Sequence, residues 1–149
     1  MAIDIDLVLS AADNTQEAAE AAEYAAAIAD RYGADLHVLH VIDQRIVQGL
    51  EVGDIESDAV ADRQRWITEH ARHNIPEGSD VSLSQSSAVG FTPERLGQTP
   101  GSVILDTAEN VGADFLVVPR VTPHGSPDEA IGKAALNVLE YAEQPVLSV

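Results

Sequence analysis

Two short stretches of small and flexible residues are the best candidates for a ligand-binding site. The first, Ser10–Asn14, follows an apolar segment near the start of the chain, and the second, Pro119–Glu129, follows a later apolar segment. In an open parallel sheet, ligands bind beyond the carboxyl ends of the strands, often against the N-terminus of a helix. The two stretches therefore predict a binding crevice, provided that the apolar segments before them are neighbouring strands.

The single lysine of the chain, Lys133, directly follows Gly132 and could contact a phosphate as a point charge. Asp128 and Glu129, in the first turn of the same predicted helix, would repel an anion. Lysine is also exposed in most proteins. We therefore favour a surface lysine that balances nearby carboxylates, with phosphate contact as the alternative. The sequence contains neither a P-loop nor a G-x-G-x-x-G motif.

The histidines give only weak signals for a metal site. His37 and His40 fall three apart in a predicted strand, which puts them on opposite faces and is poor for joint ligation. His70 and His73 could share one face of a helix, with Glu69 adjacent. No third ligand follows at a defined spacing, so a solvated pair is favoured over a metal centre. No metal site is predicted.

Nucleophilic catalysis has equally little support. No serine lies in a G-x-S-x-G elbow, and Ser82, Ser84 and Ser86 alternate along one face of a predicted strand, which indicates a structural or solvated role. His124 lies in the second candidate stretch and could contact a ligand, but a solvated loop histidine is favoured. The absence of cysteine excludes disulfides, thiolate catalysis and iron–sulfur clusters. We assign no catalytic residue and expect the protein not to be an enzyme.

The elements that must position these residues alternate between strand and helix. Continuous apolar strands joined by helices predict a parallel sheet that is covered on both faces, which is an α/β fold. The predicted strands are Ile5–Ser10, Leu36–Ile42, Val81–Val89, Phe115–Val118 and Pro145–Val149. The segments Asp43–Gly53 and Gly90–Pro100 are predicted to be loops.

Capping signals place the predicted helices. Asn14 and Glu17 fit a capping box that opens an alanine-rich helix ending at Tyr32, with Gly33 as its C-terminal stop. A second helix is expected from Asp54 to about Asn74, with an apolar side formed by Ile55, Ala59, Trp66 and Ile67. A third begins with Thr99 as N-cap and Pro100 and ends at Gly112, and a fourth runs from Ser126 to about Ala142.

Length and charge narrow the class of protein. The 149 residues predict one domain with one core, spanning residues 1–149. The 25 acidic residues against 8 basic ones give a formal net charge of −17, which excludes electrostatic binding to nucleic acid or to an anionic membrane. The start of the chain has no basic n-region, and no long apolar run occurs. A soluble, cytoplasmic protein is therefore expected.

The composition of the basic residues indicates adaptation to molar salt. Seven of the eight are arginine, and only Lys133 is lysine. At about 1 M salt the Debye length is near 3 Å, so repulsion among the carboxylates is largely screened. We therefore expect a halophilic source; a mesophilic protein with an acidic interaction face is the alternative.

Three segments together resemble the universal stress protein family. They are the opening strand, the stretch RYGADLHVLHVID at Arg31–Asp43 and the ending VLEYAEQPVLSV at Val138–Val149. The resemblance covers nearly the whole chain, with Phe91–Pro100 as an insertion. It implies a five-stranded parallel sheet in the order 3-2-1-4-5, a Rossmann-like, adenine-nucleotide α-hydrolase-like fold. It also implies a homodimer and, in many members, bound ATP or AMP.

The phosphate-binding motif of the nucleotide-binding members is only partly present. In those members Gly, two residues, Gly, nine residues, Gly and then Ser or Thr follow the fourth strand. Counting back from the C-terminal match puts the third glycine on Gly132, but the first two on Pro119 and Thr122 and the Ser/Thr position on Lys133. Glycines there let backbone amides approach phosphate oxygens, and proline has no amide to offer. The resemblance therefore predicts weak or no ATP binding.

The resemblance also places a candidate nucleotide crevice. The family's aspartate after the first strand aligns with Ala11, with Asp13 two residues on, and Val41 fits the position whose backbone lies against adenine. The candidate crevice residues are Ser10, Ala11, Asp13, Val41, Val118, Thr122, Gly132 and Lys133.

Three functions follow as hypotheses. We favour a dimeric stress-response binding or regulatory module without a cofactor. The alternative is a sensor that binds ATP or AMP through an altered phosphate loop, and a nucleotide hydrolase ranks last. The apolar final strand, Val146–Val149, would form an edge of the sheet and pair with a second copy, as the family's dimers do.

Overall fold

The structure, a computed structural model, describes residues 4–90, 99–120, 131 and 134–149, which contain five strands and five helices. The strands are β1 (Leu7–Ala12), β2 (Asp35–Ile42), β3 (Leu83–Val89), β4 (Phe115–Val118) and β5 (Val146–Ser148). The helices are α1 (Gln16–Tyr32), α2 (Gln44–Val52), α3 (Ser57–His73), α4 (Pro100–Val111) and α5 (Ala134–Tyr141). Strands and helices alternate except that two helices, α2 and α3, follow β2.

The strands form one parallel sheet in the order β3-β2-β1-β4-β5, which confirms the predicted topology. Strand β1 lies in the centre, with Ser10 level with Val38 of β2 on one side and Val117 of β4 on the other. The chain leaves β1 towards β2 and later returns to its other side, so the order reverses between β1 and β4. Such a reversal opens a crevice at the carboxyl ends of the two strands.

Helices cover both faces of the sheet, as predicted. Helices α1 and α3 share one apolar layer with Val8, Leu36 and Val38, and helices α4 and α5 share the other with Leu9 and Leu39. Alternation of side chains along each strand produces the two layers, because successive residues point to opposite faces.

Helix α1 is attached to the sheet almost entirely through alanine. Its seven buried residues are Ala18, Ala19, Ala21, Ala22, Ala25, Ala26 and Ala29. A methyl group on every contacting position lets the helix backbone lie close to β1, and any larger side chain there would overpack the layer. The helix ends at Gly33, which adopts a left-handed conformation (φ 65°) and donates its amide to Ala29 and Asp30.

Most of the predicted boundaries hold, and Thr99 and Ser102 form a capping box at the start of α4. The N-cap of α1 is a correction: Thr15, not Asn14, accepts the amide of Ala18. Both residue types cap helices well, so composition alone did not separate them. The predicted start of the last helix, Ser126, lies outside the described residues.

The segment predicted as a loop at Asp43–Gly53 is the main error, since it contains helix α2. Asp43 caps the helix by accepting the amide of Arg45, and Ile46 is buried. Gly49 is also buried, and a Cβ there would lie 2.5 Å from Ile55, so the helix packs closely against the chain that follows it. A helix of 9 residues is short, and its stability comes from this packing more than from propensity.

The apolar side of α3 is narrower than predicted. Ile67 and Ala71 are buried, but Ala59 is exposed and Trp66 retains 39% of its surface. The helix begins at Ser57 instead of Asp54. None of the described helices is both long and apolar enough to cross a membrane.

Candidate functional site

The candidate site lies where β1 and β4 end side by side. Asp13 directly follows β1, and Pro119 directly follows β4. Because the two strands are parallel, hydrogen-bonded neighbours in the sheet, Asp13 and Pro119 lie at the same edge of it, where ligands bind in open α/β sheets.

Among the described residues at this edge of the sheet, Asp13 supplies a buried carboxylate. It is 2% exposed and accepts the backbone amides of Thr15 and Ile131, each at 3.2 Å, as well as the hydroxyl of Thr15. Ile131 immediately precedes Gly132 in the sequence. Asp13 therefore connects the end of β1 to the chain just before α5, across 118 residues.

Burial raises the pKa of Asp13, and the three hydrogen bonds from Thr15 and Ile131 oppose that rise. Donors directed at a carboxylate stabilise its charged form, so they offset part of the desolvation. An acceptor that already holds three donors has little capacity left for a ligand.

The end of β4 offers no free backbone donor at its first two positions. Pro119 is buried and has no amide hydrogen, and the amide of Arg120 donates to the carbonyl oxygen of Val149 at 2.5 Å. That bond continues the pairing between β4 and β5 by one residue. Neither of these two positions could therefore donate a backbone hydrogen bond to an anion bound at the end of β4.

Several predicted site residues lie in the sheet and not in the crevice. Ala11 and Val118 are fully buried in the layer covered by α4 and α5. The carboxylate nearest to the end of β1 is that of Asp13, two residues beyond the position of the family's aspartate. The side chain of Val41 lies in the same layer, and its backbone is paired with Ala88 of β3. The predicted residues Thr122, Gly132 and Lys133 lie outside the described residues, as does His124.

Ser10 is buried in the sheet, and its hydroxyl has no hydrogen-bond partner within the described part of the chain. A buried hydroxyl without a partner destabilises the folded state by about 1 kcal/mol or more. We expect Ser10→Ala to raise the free energy of unfolding by about 1 kcal/mol, measured by urea denaturation. Ser79→Ala is the control, because that hydroxyl donates to Asp30 at 2.8 Å and its loss should give no gain. If the two substitutions changed the free energy of unfolding equally, the unpaired Ser10 hydroxyl would not be the cause of the destabilisation.

A small cavity of about 330 Å³ lies beyond the end of β2, lined by Asp43, Gln44, Arg45 and Gln48. Arg45 donates to both carboxylate oxygens of Asp43, at 2.9 and 3.0 Å. Burial acts to raise the pKa of Asp43, but the hydrogen bonds and charge of Arg45 outweigh it and lower the pKa overall. This carboxylate is therefore ionised at neutral pH.

The two strand histidines lie on opposite faces of the sheet, as predicted. His37 contacts the hydroxyls of Ser84 and Ser86, each at 2.8 Å, whereas His40 contacts Thr68 and Gln85 at 3.0 and 3.2 Å. Ser84 and Ser86 thus have a structural role that the alternation of the serines indicated. Both histidines attach the edge strand β3 to β2 through side chains.

Burial lowers the pKa of both His37 and His40. The unfolded chain then binds protons more tightly than the folded chain, so the free energy of unfolding falls as the pH drops below 6.5, the ordinary histidine value. The slope approaches about 1.4 kcal/mol per pH unit for each proton. We expect His40→Gln to flatten this decline between pH 7 and 5, measured by urea denaturation at constant KCl. The exposed His73, replaced by glutamine, is the control; an unchanged slope in His40→Gln would refute the expectation.

The helix histidines do not form a metal site in the described part of the chain. His70 pairs with Glu23 of α1 at 2.5 Å and stacks on Trp66, while His73 is exposed. No group of three metal-ligating side chains occurs among the described residues.

Sequence reasoning missed the backbone contacts that define the crevice. The donation from Ile131 to Asp13 joins residues 118 apart, and the donation from Arg120 to Val149 depends on β4 and β5 being neighbours. No local pattern encodes either contact. Of the residues that make these contacts, only Asp13 could be identified as a candidate from the sequence, because it is an acidic residue shortly after the first apolar segment.

Comparison with known proteins gives one family. Residues 5–149 match the universal stress protein family. The universal stress protein UspA from Lactobacillus plantarum is 20% identical, with a TM-score of 0.68, and the match covers 99% of both chains. A universal stress protein in complex with cAMP is 18% identical, with a TM-score of 0.68, over 99% of this chain and 98% of the other. The universal stress protein from Archaeoglobus fulgidus in complex with dAMP is 20% identical, with a TM-score of 0.61, over 99% and 98%. No curated protein matches the sequence significantly.

Proposed function

Because the chain belongs to the universal stress protein family, we propose that it is a non-catalytic stress-response binding module with a weakened ATP site. In this proposal it works as a homodimer in the cytoplasm of a salt-adapted cell. Its role is to present a folded surface to a partner, and it does not turn over a nucleotide.

The observation that carries this proposal is the state of the backbone amides around the crevice. Pro119 has no amide hydrogen, the amide of Arg120 donates to Val149, and the amide of Ile131 donates to Asp13. Phosphate sites in α/β proteins depend on backbone amides that point at the anion. Three donors near the place where a polyphosphate would bind are therefore absent or already used.

The negative charge of the protein also weakens ATP binding. The net charge is −17, and the carboxylate of Asp13 lies in the crevice itself. An incoming triphosphate would meet like charge at short range, where screening by salt is least effective. High salt would weaken this repulsion from distant carboxylates but also any attraction to Lys133.

Isothermal titration of the full chain with Mg-ATP in 2 M KCl tests the proposal. We expect no saturable heat with a dissociation constant below about 1 mM, since the missing donors are each worth about a tenfold change in affinity. Titration with AMP under the same conditions is the comparison. A micromolar dissociation constant for ATP would refute a weakened site.

A second candidate function is an adenine-mononucleotide sensor. Two of the similar structures hold cAMP and dAMP, each with a single phosphate, which requires fewer amide donors than a triphosphate. Denaturing the purified protein and analysing the released small molecules by mass spectrometry tests this candidate. A stoichiometric adenine mononucleotide would favour the sensor, and its absence from several preparations would favour the module without a ligand.

Nucleotide hydrolysis has the least support. The buried carboxylate of Asp13 already accepts three hydrogen bonds, so it is poorly placed to activate a water molecule. We expect no phosphate release from ATP above background when Mg²⁺ or Mn²⁺ is supplied.

We also propose that the protein forms a homodimer through β5, and the geometry of the sheet edge supports this. The carbonyl of Pro145 accepts the amide of Leu116, and the amide of Val149 donates to Val118, so the odd-numbered residues of this segment face β4. In a parallel ladder, the intervening residues Val146 and Ser148 direct their amides outward. An unpaired strand edge is a template for pairing with another chain.

We expect Ser148→Pro to break the dimer while leaving the β4–β5 ladder in place, because proline removes only an outward amide. Size-exclusion chromatography with light scattering should show a dimer of about 32 kDa, twice 15.8 kDa, for the parent chain and a monomer for the variant. Ser148→Ala, which keeps the amide, is the matched control. A dimer that survives in Ser148→Pro would exclude edge pairing at this residue.

A further inference from the structure

Arg63 of α3 makes contacts of a different kind from those of three other described arginines. Arg45, Arg65 and Arg72 each pair with a carboxylate two or three residues away. The guanidinium of Arg63 instead lies 4.6 Å from the ring centroid of Trp66 and donates to the backbone carbonyl of Asn14 at 3.2 Å. Carboxylates are abundant in this chain, which has 25 acidic residues, so contacts of Arg63 with a ring and a backbone carbonyl indicate a specific role for this side chain.

The carbonyl that Arg63 holds belongs to the loop that carries the crevice carboxylate. Asn14 lies between Asp13, which accepts the amide of Ile131, and Thr15, which caps α1. The loop and α3 are 49 residues apart in sequence, and this hydrogen bond joins them directly. A shift of the Asn14 carbonyl would carry Asp13 with it.

Arg63 is itself held in place along one side of α3. Trp66 lies three residues further along the helix and stacks on His70, with ring centroids 5.7 Å apart. His70 in turn pairs with Glu23 of α1 at 2.5 Å. Residues spaced by three and four share one helix face, so the three side chains form a continuous row from α1 to the Asp13 loop.

We infer that Arg63, stacked on Trp66, is a positioning residue that holds the Asp13–Thr15 loop and thereby the contact between Asp13 and Ile131. A planar guanidinium can stack flat on an aromatic ring while it donates in its own plane, whereas an ammonium has no planar face with which to stack. Contacts of this kind depend on short-range geometry and are screened less by salt than exposed ion pairs.

Amide hydrogen exchange, resolved by residue with NMR on the full chain in 1 M KCl, tests this inference. The informative amides are those of Thr15 and Ile131, which both donate to Asp13. In Arg63→Gln we expect about tenfold faster exchange at these two amides, since the loop loses a charge-assisted hydrogen bond. Amides of β1 should remain within twofold of the parent chain.

Arg65→Gln is the matched control, because Arg65 is exposed and pairs with Asp62 within α3. The Arg65→Gln substitution should leave the exchange rates of both amides unchanged. Arg63→Lys keeps the charge but not the planar fork, so we expect about threefold faster exchange. This milder variant also serves if Arg63→Gln does not fold.

Trp66→Ala separates positioning from general support of the helix. If Trp66 acts through Arg63, the Trp66→Ala substitution should speed exchange at the same two amides. Exchange in the double variant Arg63→Gln/Trp66→Ala should then be less than twofold faster than in the faster of the two single variants. Unchanged exchange at Thr15 and Ile131 in Arg63→Gln, or equal acceleration throughout α1 and α3, would overturn the inference. No nucleotide enters this test, so its outcome is independent of the proposed function.

Discussion

Replacing Pro119 and Thr122 with glycine and Lys133 with serine should create an ATP site with micromolar affinity. The Pro119→Gly change adds a backbone amide at the end of β4, and glycine at position 122 lets the backbone approach a phosphate closely. Serine at position 133 supplies a hydroxyl donor in place of the lysine. Each hydrogen bond to a charged oxygen is worth about 1.5–3 kcal/mol, so we expect the dissociation constant to fall by about a hundredfold. Isothermal titration with Mg-ATP in 2 M KCl measures the change.

Single substitutions show whether the amides are the cause. Pro119→Gly alone should tighten ATP binding by about tenfold, because it restores one donor. Pro76→Gly is the matched control, since Pro76 is exposed in the turn after α3, far from the crevice. A triple variant that still shows no saturable binding at 5 mM ATP would mean that the missing glycines are not what weakens the site.

Removing salt should destabilise the protein strongly. The 17 uncompensated negative charges repel one another when the Debye length grows from about 3 Å at 1 M salt to about 10 Å at 0.1 M. If this repulsion costs about 3 kcal/mol, the melting temperature should fall by roughly 10 °C between 2 M and 0.1 M KCl. Thermal unfolding followed by circular dichroism at 0.1, 0.5, 1 and 2 M KCl measures the effect.

A variant with fewer charges distinguishes screening from general stabilisation by salt. Glu20, Glu51 and Glu77 are exposed, and their replacement by glutamine lowers the negative charge from 17 to 14. If screening is responsible, this variant should lose less stability at 0.1 M KCl than the parent chain, with similar stability at 2 M. Parallel curves for the two proteins would contradict the assignment to charge repulsion.

The sequence predicts the sheet well because its strands are short, apolar and regularly interrupted. The segment Leu36–Ile42 is apolar at most positions, and Gly33 stops α1 just before it, so the αβ junction is visible without a structure. Strand order came from the family resemblance, because alternation of strand and helix does not itself specify which strands are neighbours. Helix α2 was missed because it has only 9 residues and contains Gly49, a weak helix former, although four of its residues are apolar.

The sequence predicts where the candidate crevice lies, but it does not predict which backbone amides there are already hydrogen-bonded. The carboxyl ends of β1 and β4 follow from the strand order, and Asp13 is the acidic residue that lies two positions beyond the one to which the resemblance assigns the family's aspartate. Whether an amide is free or used depends on contacts between distant segments, such as those of Arg120 and Ile131. The role of Arg63 depends in the same way on the packing of α3 against the Asp13 loop, which residue type and spacing do not specify.

The alanine contact surface of α1 has a consequence for how stability varies with temperature. Seven of its buried positions carry a single methyl group, so unfolding this helix exposes less apolar area than a leucine-rich helix of the same length would. The heat-capacity increment of unfolding grows with the apolar area exposed. A smaller increment gives a flatter stability curve, which weakens the loss of stability both on cooling and on heating. The alanine surface of α1 should therefore make the contribution of this helix to stability vary less with temperature than that of a leucine-rich helix would.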